Sequence, residues 1–400
     1  MNRRLFLALI LVVATIGISL AIYFVFFRPP ALPTPAPPLP TPPITGLPPI
    51  APGIPPGVTP PPPAVLPEAT PIAQGGPTQT TALTERTVRG AALTGDGQSM
   101  AFYNPSDNFF YRLSPDGSVS KLSDRAFFGV QQIYWSPDAS RAVLEYPDGS
   151  NIFFDFDRHE QVTLPKHWQE FDFSNNGQQI VAKSMGVNVN NRWLIVSQAD
   201  GSEARTIEAL GENANRVTVS WSPSNEVIAF SATGEPLGFD TTEIIPIGQN
   251  QENLKALIVE GRDFRPLWSA DGNRLLYSVY HSSNGYRPML WLTDARGDRL
   301  GENRQSLGLE TWADKCVFAS ASVAYCAVPA SLPEGAGFQP AVAVNTPDQV
   351  YRLDISQGTK TLVGLPAEGS AMTNLSVSSD ERLLFYTEAG TGILRKMQLR

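Results

Sequence analysis

From residue 79 to residue 400 the sequence predicts an all-β fold, a β-propeller of four-stranded blades. Two observations carry this prediction. A tight-turn motif recurs at blade-length intervals, and short alternating strands fill the spaces between its copies. A third observation, an abrupt change of composition before residue 79, sets where the propeller begins.

The clearest copies of the motif are Ile133-Tyr134-Trp135-Ser136-Pro137-Asp138, Val219-Ser220-Trp221-Ser222-Pro223-Ser224 and Pro266-Leu267-Trp268-Ser269-Ala270-Asp271-Gly272. Weaker copies follow Leu93, Phe173, Trp312 and Val377, which gives seven anchors spaced by 42, 38, 48, 47, 44 and 65 residues. Each anchor is an aromatic or aliphatic residue that ends an inner strand and packs between neighbouring sheets. The Ser-Pro-Asp-Gly that follows makes a tight turn, with proline pre-setting φ and glycine or asparagine accepting positive φ.

An alternating second strand comes next, as in Ile180-Val181-Ala182, Val227-Ile228-Ala229-Phe230 and Leu275-Leu276-Tyr277. A third strand runs into a second turn, as at Trp193-Leu194-Ile195-Val196 before Asp200-Gly201, and a short fourth strand such as Thr359-Lys360-Thr361-Leu362-Val363 closes the unit. Four antiparallel strands in roughly 45 residues make one propeller blade. Seven anchors predict seven blades, with six and eight as the neighbouring counts. The last unit supplies three strands before Arg400. The alternating stretch Thr80 to Val88, which has no partner of its own, is placed to be the missing fourth strand and so to close the ring.

The Trp-Ser-Pro-Asp-Gly turns followed by an aliphatic strand resemble the WD-repeat-like units of TolB-like propellers, and of the propellers that precede hydrolase domains in prolyl oligopeptidases. The resemblance covers roughly residues 80 to 400, and several copies are degenerate. It implies the fold and a habit of binding proteins or peptides. It implies no activity, because neither the α/β domain of the first family nor the hydrolase domain of the second is part of this sequence.

Two segments precede the propeller. Residues 1–28 hold Leu5 to Phe27, which contain no charge and sixteen Leu, Ile, Val or Phe side chains. As a helix these would span roughly 34 Å, enough to cross a hydrocarbon core. A cleaved secretory signal is the competing reading, but the run ends in Tyr23-Phe24-Val25-Phe26-Phe27-Arg28 with no small-residue cleavage site. Arg3 and Arg4 outweigh Arg28, so the N-terminus is expected in the cytoplasm and the rest outside a bacterial cell membrane. Residues 29–78 form the second segment. Between Pro29 and Pro77, 21 of 49 residues are proline and Glu68 alone is charged. Such a chain lacks the donors for helix or sheet and reads as a polyproline II spacer, on the order of 150 Å at full stretch.

The net charge of −8 and a pI near 5.1 argue against nucleic acid, which requires clustered Lys and Arg. No Gly-x-Ser-x-Gly elbow, phosphate-binding glycine loop or His-Glu-x-x-His motif occurs, so no catalytic residue, cofactor or metal is assigned. His159, His167 and His281 fall in different units without ligand spacing. Asp155 and Asp157 alternate along an apparent third strand, a pattern that fits a solvated face better than a calcium site. Cys316 and Cys326 come opposite each other if the segment between them folds as a hairpin about Ala321, and in an exported domain they would be oxidised.

Trp135, Trp221, Trp268 and Trp312 read as core anchors, and Trp193 and Trp291 as packing between blades. Trp168, beside His167 at the start of a unit, is a candidate for a solvent-facing ligand contact. The turns between first and second strands and between third and fourth are minimal, as at Ser136-Pro137-Asp138-Ala139 and Asp116-Gly117. The second-to-third loops are long and varied, above all Pro329 to Asp348. Those loops share a rim with the connections between blades, and long loops on a rigid scaffold usually carry binding. His281, Tyr286 and Phe338 on that rim are therefore the candidate ligand-face residues. The expected role is a membrane-anchored envelope module that binds or scaffolds a protein, peptide or glycan. The alternatives are an envelope hydrolase or lyase acting in the channel mouth, and a structural surface spacer.

Overall fold

A computed structural model describes residues 77–235, 237–238 and 240–399. The apolar run Leu5 to Phe27 and the proline-rich segment up to residue 76 lie outside the described residues. Among the described residues no helix is long and apolar enough to cross a membrane.

Seven sheets follow one another around a ring, and in blades 1 to 5 the four antiparallel strands run in sequence order from inner to outer. Blade 1 comprises Arg89–Leu93, Met100–Asn104, Phe109–Leu113 and Val119–Lys121. Blade 2 comprises Gln132–Trp135, Arg141–Glu145, Asn151–Asp155 and Glu160–Leu164, and blade 3 Trp168–Phe173, Gln179–Met185, Arg192–Gln198 and Arg205–Ala209. Blade 4 is built of Val217–Val219, Ala229–Ser231, Thr242–Ile247 and Leu257–Val259, and blade 5 of Arg262–Trp268, Arg274–Tyr280, Pro288–Asp294 and Gln305–Ser306. Blade 6 holds Cys316–Phe318, Val323–Pro329, Asp348–Asp354 and Thr359–Pro366; blade 7 holds Met372–Val377, Leu383–Glu388 and Leu394–Gln398.

The ring closes as the sequence predicts. Thr80–Ala82 pairs antiparallel with Leu394–Gln398, Thr80 opposite Met397 and Ala82 opposite Arg395, so the N-terminal strand completes blade 7. One feature was not foreseen: Pro77–Thr78 adds to blade 6 as a short fifth strand, parallel to Thr359–Pro366. The incoming chain thus holds two adjacent blades together.

Side-chain chemistry explains the turns. In blade 2 the Ser136 hydroxyl donates to Asp138 (2.6 Å) and accepts the Arg141 N–H (3.0 Å), while the Asp138 carboxylate accepts the Ser140 N–H. Ser269 with Asp271 and Ser378 with Asp380 repeat the arrangement at 2.7 Å in blades 5 and 7. The residue after the Asp position is left-handed in every such turn, at Gly97, Ala139, Gly177, Asn225, Gly272 and Glu381. Glycine is required at Gly272 for a second reason, since a Cβ there would lie 2.7 Å from the Ser224 backbone nitrogen of the preceding blade.

The core lies between sheets. Trp135 donates its indole N–H to Gly90 O of blade 1 (2.7 Å), and Trp268 donates to Ser220 Oγ of blade 4 (2.9 Å), so these two anchors tie their blades to the preceding ones. Both rings are partly buried, so each contributes less than the roughly 1.5–3 kcal/mol of a fully buried side chain. Asp172 of blade 3 accepts the Trp221 N–H of blade 4 at 2.7 Å. Burial drives its pKa up to about 6 against the pull of the Trp221 and Phe173 N–H groups.

Three expectations need correction. Trp312 is not the anchor of blade 6. It precedes a 3-10 turn at Ala313–Lys315, and the inner strand that follows ends at Phe318, opposite Ala324. Trp168 is only 5% exposed and packs with Leu164, Phe171 and Phe173 between blades 2 and 3, so it has no ring face to offer a ligand. Asp155 and Asp157 do not share a solvated face. Asp155 is buried at the end of its strand, paired with Arg141 at 2.9 Å, and accepts the Asp157 N–H from the turn beyond.

Candidate functional site

In an antiparallel four-stranded blade the second-to-third loops and the inter-blade connections share one rim. The other rim holds the first-to-second and third-to-fourth turns. Those turns are mostly tight, although the third-to-fourth connections of blades 4 and 5, residues 248–256 and 295–304, are longer than expected. On the first rim the largest excursion joins Pro329 to Asp348, and it folds over the loop between Tyr280 and Pro288.

Local sequence explains how the excursion is held. Gly335 donates its N–H to Gly285 O and Gly337 to Tyr286 O, both at 2.8 Å, like a short added strand. Arg287 reaches across and donates from Nε to Leu332 O (2.8 Å). Beneath the excursion, Trp312 packs with Leu332, Ala336 and Ala343 in a small separate core. The tryptophan that imitates a blade anchor in the sequence thus supports the largest loop.

This packing assembles an aromatic cluster. Phe338 lies 4.7 Å from Tyr280 and 5.0 Å from Tyr286 between ring centroids, and the two tyrosines are 6.4 Å apart. Phe338 remains 56% exposed. Two of the predicted ligand-face residues, Tyr286 and Phe338, are in direct contact. Sequence reasoning missed Tyr280, the last residue of an alternating strand, where nothing marks its ring as reaching the rim. Burial and the nearby Asp263 charge hold the Tyr280 phenol above its ordinary pKa, so it remains a neutral donor.

His281 stands beside the cluster. Its Nδ1 accepts the Ser283 N–H at 2.9 Å and lies 2.8 Å from the Ser283 hydroxyl, while Nε2 is 3.8 Å from Asp240 Oδ2. Serine, histidine and aspartate in a row suggest a hydrolase, but the geometry does not fit one. The nitrogen that would act as base is occupied by a backbone N–H as the cap of the turn at Ser282–Asn284, and the N–H groups of Asn284 and Gly285 bond to the carbonyls of His281 and Ser282. His281 is a loop-forming residue here. A cavity of about 200 Å³ opens next to it, lined by Val279, Met289 and Trp291.

The distribution of exposed apolar side chains is uneven. Among the described residues, six of the large ones sit in loops: Phe128, Val187, Leu237, Phe338, Val342 and Val344. All six are on the long-loop rim. Val119, Val162 and Ile258 are in outer strands and Ile245 is in a third strand, and none is in a turn of the opposite rim. Some charged groups on or beside the inner strands are paired. Arg265 bonds to Asp263 (2.9 Å) and Asp314 (3.3 Å), and Lys183 to Glu170 (2.6 Å). Among the described residues, no three His, Cys, Asp or Glu side chains are grouped to hold a metal ion.

In blade 6, Cys316 and Cys326 are directly opposed and joined as a disulfide, as their spacing predicts, with Cα atoms 4.0 Å apart.

The sequence matches no protein-family model and no curated relative. The structure resembles many solved propellers. An oligogalacturonate lyase in complex with manganese is 15% identical, with a TM-score of 0.54 over 82% of this chain and 99% of that one. The β-propeller domain of Myceliophteria thermophila Cps50 (Swd1) is 10% identical, with a TM-score of 0.53 over 80% of this chain and 100% of that one. The propeller domain of the trilobed protease from Pyrococcus furiosus is 11% identical, with a TM-score of 0.50 over 78% and 95%; it has an open velcro topology, whereas this ring is closed by Thr80–Ala82. At such identities the likeness shows the fold alone: the chain carries a seven-bladed β-propeller of four-stranded antiparallel blades.

Proposed function

We propose that this chain is a membrane-anchored propeller, exported from the cytoplasm, that binds a protein or peptide partner through its long-loop rim. The observation that carries the reading is the segregation of exposed apolar loop side chains to that rim, where Phe338 caps the partly buried Tyr280 and Tyr286. Exposed apolar side chains gathered on one rim of a folded domain favour an interaction surface there. Leu5 to Phe27, flanked by Arg3 and Arg4, supports the anchor. The Cys316–Cys326 disulfide supports an oxidising compartment.

The second reading, an enzyme acting in the channel mouth, draws on the fold likeness to an oligogalacturonate lyase. The pairing of Arg265 with Asp263 and Asp314, and of Lys183 with Glu170, weighs against it, since each of these carboxylates already has a cation beside it.

The test replaces residues 330–347 by a four-residue turn and compares partner capture with a change to the turn at residues 378–382 on the other rim. The reading expects capture to be lost with the first change and kept with the second. Retention with the first and loss with the second would assign binding to the wrong rim.

A further inference from the structure

The aromatic cluster on the long-loop rim has a charged border of one prevailing sign. Glu334 lies over Gly285, with its Cγ 3.3 Å from where a Cβ would be. Glu310 stands 3.8 Å from Arg287, and Asp240 bonds to the Ser282 hydroxyl. On the channel side, Asp263 and Asp314 flank Arg265, and the charges of Asp263 and Arg262 are both felt at the Tyr280 phenol. Five carboxylates therefore face three guanidiniums, those of Arg262, Arg265 and Arg287. Arg265 is shared between two acids and Arg287 is engaged with Glu310 and Leu332 O.

A second, independent observation has the same sign. Asp240 Oδ1, in the second-to-third loop of blade 4, and Asn284 Oδ1, in the turn between His281 and Tyr286, are buried with no hydrogen-bond partner. Both are acceptors, and a buried acceptor without a donor is costly. A partner rich in donors complements the excess of acceptors in this border through its exposed carboxylates, while the exposed ring of Phe338 accepts the cations of Arg and Lys side chains.

Resting on the rim reading above, we infer that the patch formed by Tyr280, Tyr286 and Phe338 takes a basic polypeptide segment, in which apolar residues contact the rings and Arg or Lys residues meet Glu334, Glu310 and Asp240. The complementarity is electrostatic as well as apolar, so the chosen segment is distinguished from neutral or acidic ones of equal hydrophobicity.

The test uses the full chain in detergent micelles and three fluorescent twelve-residue peptides. They share the same Leu and Phe positions, and the remaining positions are Lys and Arg, Ser and Gln, or Asp and Glu. Binding is followed by anisotropy for the unaltered chain, Phe338→Ser and Glu334→Lys. The inference expects the basic peptide to bind at least about tenfold more tightly than the neutral one. It also expects that preference to shrink in Glu334→Lys and all binding to weaken in Phe338→Ser. Neutral and basic peptides binding equally, both weakened by Phe338→Ser, would overturn the inference and leave the rim reading standing. Basic-peptide binding indifferent to both substitutions would overturn both, as adsorption to the acidic chain at large.

Discussion

Gly337 lies flat against the ring of Tyr280: a Cβ added to the glycine would fall 2.5 Å from three atoms of that side chain. Gly337 is buried between the aromatic cluster and the body of the excursion, and Tyr280 is fixed at the end of its strand. Gly337→Ala should therefore lift the loop and separate Phe338 from Tyr286. The expected cost is about 1–3 kcal/mol, in the range of overpacked sites. Faster hydrogen exchange over residues 330–347, with blades 1 to 3 unchanged, is the measurement.

Trp312 should prove a support of the rim and not a pillar of the ring. Trp312→Ala empties the small core shared with Leu332, Ala336 and Ala343, at a cost of about 3–5 kcal/mol where it is felt. The excursion should become sensitive to protease while the remaining propeller stays resistant. Collapse of the whole domain at the same protease concentration would show that Trp312 is a blade anchor after all.

Asp172 makes a pH signature. Its folded pKa of about 6 is above the unfolded value of 3.8, so the native state holds its proton more tightly. The associated stability is fully present below the unfolded value and is lost as pH rises through about 6. The loss is of order 1–3 kcal/mol. Asp172→Asn keeps an acceptor for the Trp221 N–H and should flatten this part of the stability profile. Denaturant midpoints between pH 4 and 7 for the two proteins test it.

The left-handed turn positions differ in residue type, and the difference is measurable. Ala139 has φ 54° in the place that Gly97, Gly177 and Gly272 fill in other blades. Ala139→Gly should relieve that backbone and raise stability by up to about 1 kcal/mol, partly offset by the freer unfolded chain. Gly272→Ala, which meets the Ser224 nitrogen, should instead destabilise.

Reduction of Cys316–Cys326 should lower stability by about 2–3 kcal/mol, the range for so short a loop. Peptide mapping without reductant should recover the two cysteines as a linked pair.

The propeller was legible because its turns repeat one chemical device, a Ser or Thr hydroxyl bonded to the side chain two residues on, most often an Asp, after an anchor that must be large. Blade 6 escaped because the turn after Phe318 is Ala319-Ser320-Ala321-Ser322, without that device, while Trp312-Ala313-Asp314 imitates it. The closing strand was visible as an unpartnered alternating run, but Pro77–Thr78 was too short to show a period. On the rim, loop length pointed to Tyr286 and Phe338. It could not reveal Tyr280, whose exposure depends on where a strand ends in space, nor that Trp168 is enclosed by the neighbouring blade.

The central claim is that the long-loop rim is the face that meets a partner. The most direct measurement places a photo-cross-linking phenylalanine analogue at Phe338 and, separately, at Asp116 in an exposed turn of the opposite rim, in the full chain within its own cells. The account predicts a discrete cross-linked species from position 338, reduced by Glu334→Lys, and none from position 116. A discrete species from position 116, with none from position 338, would contradict it.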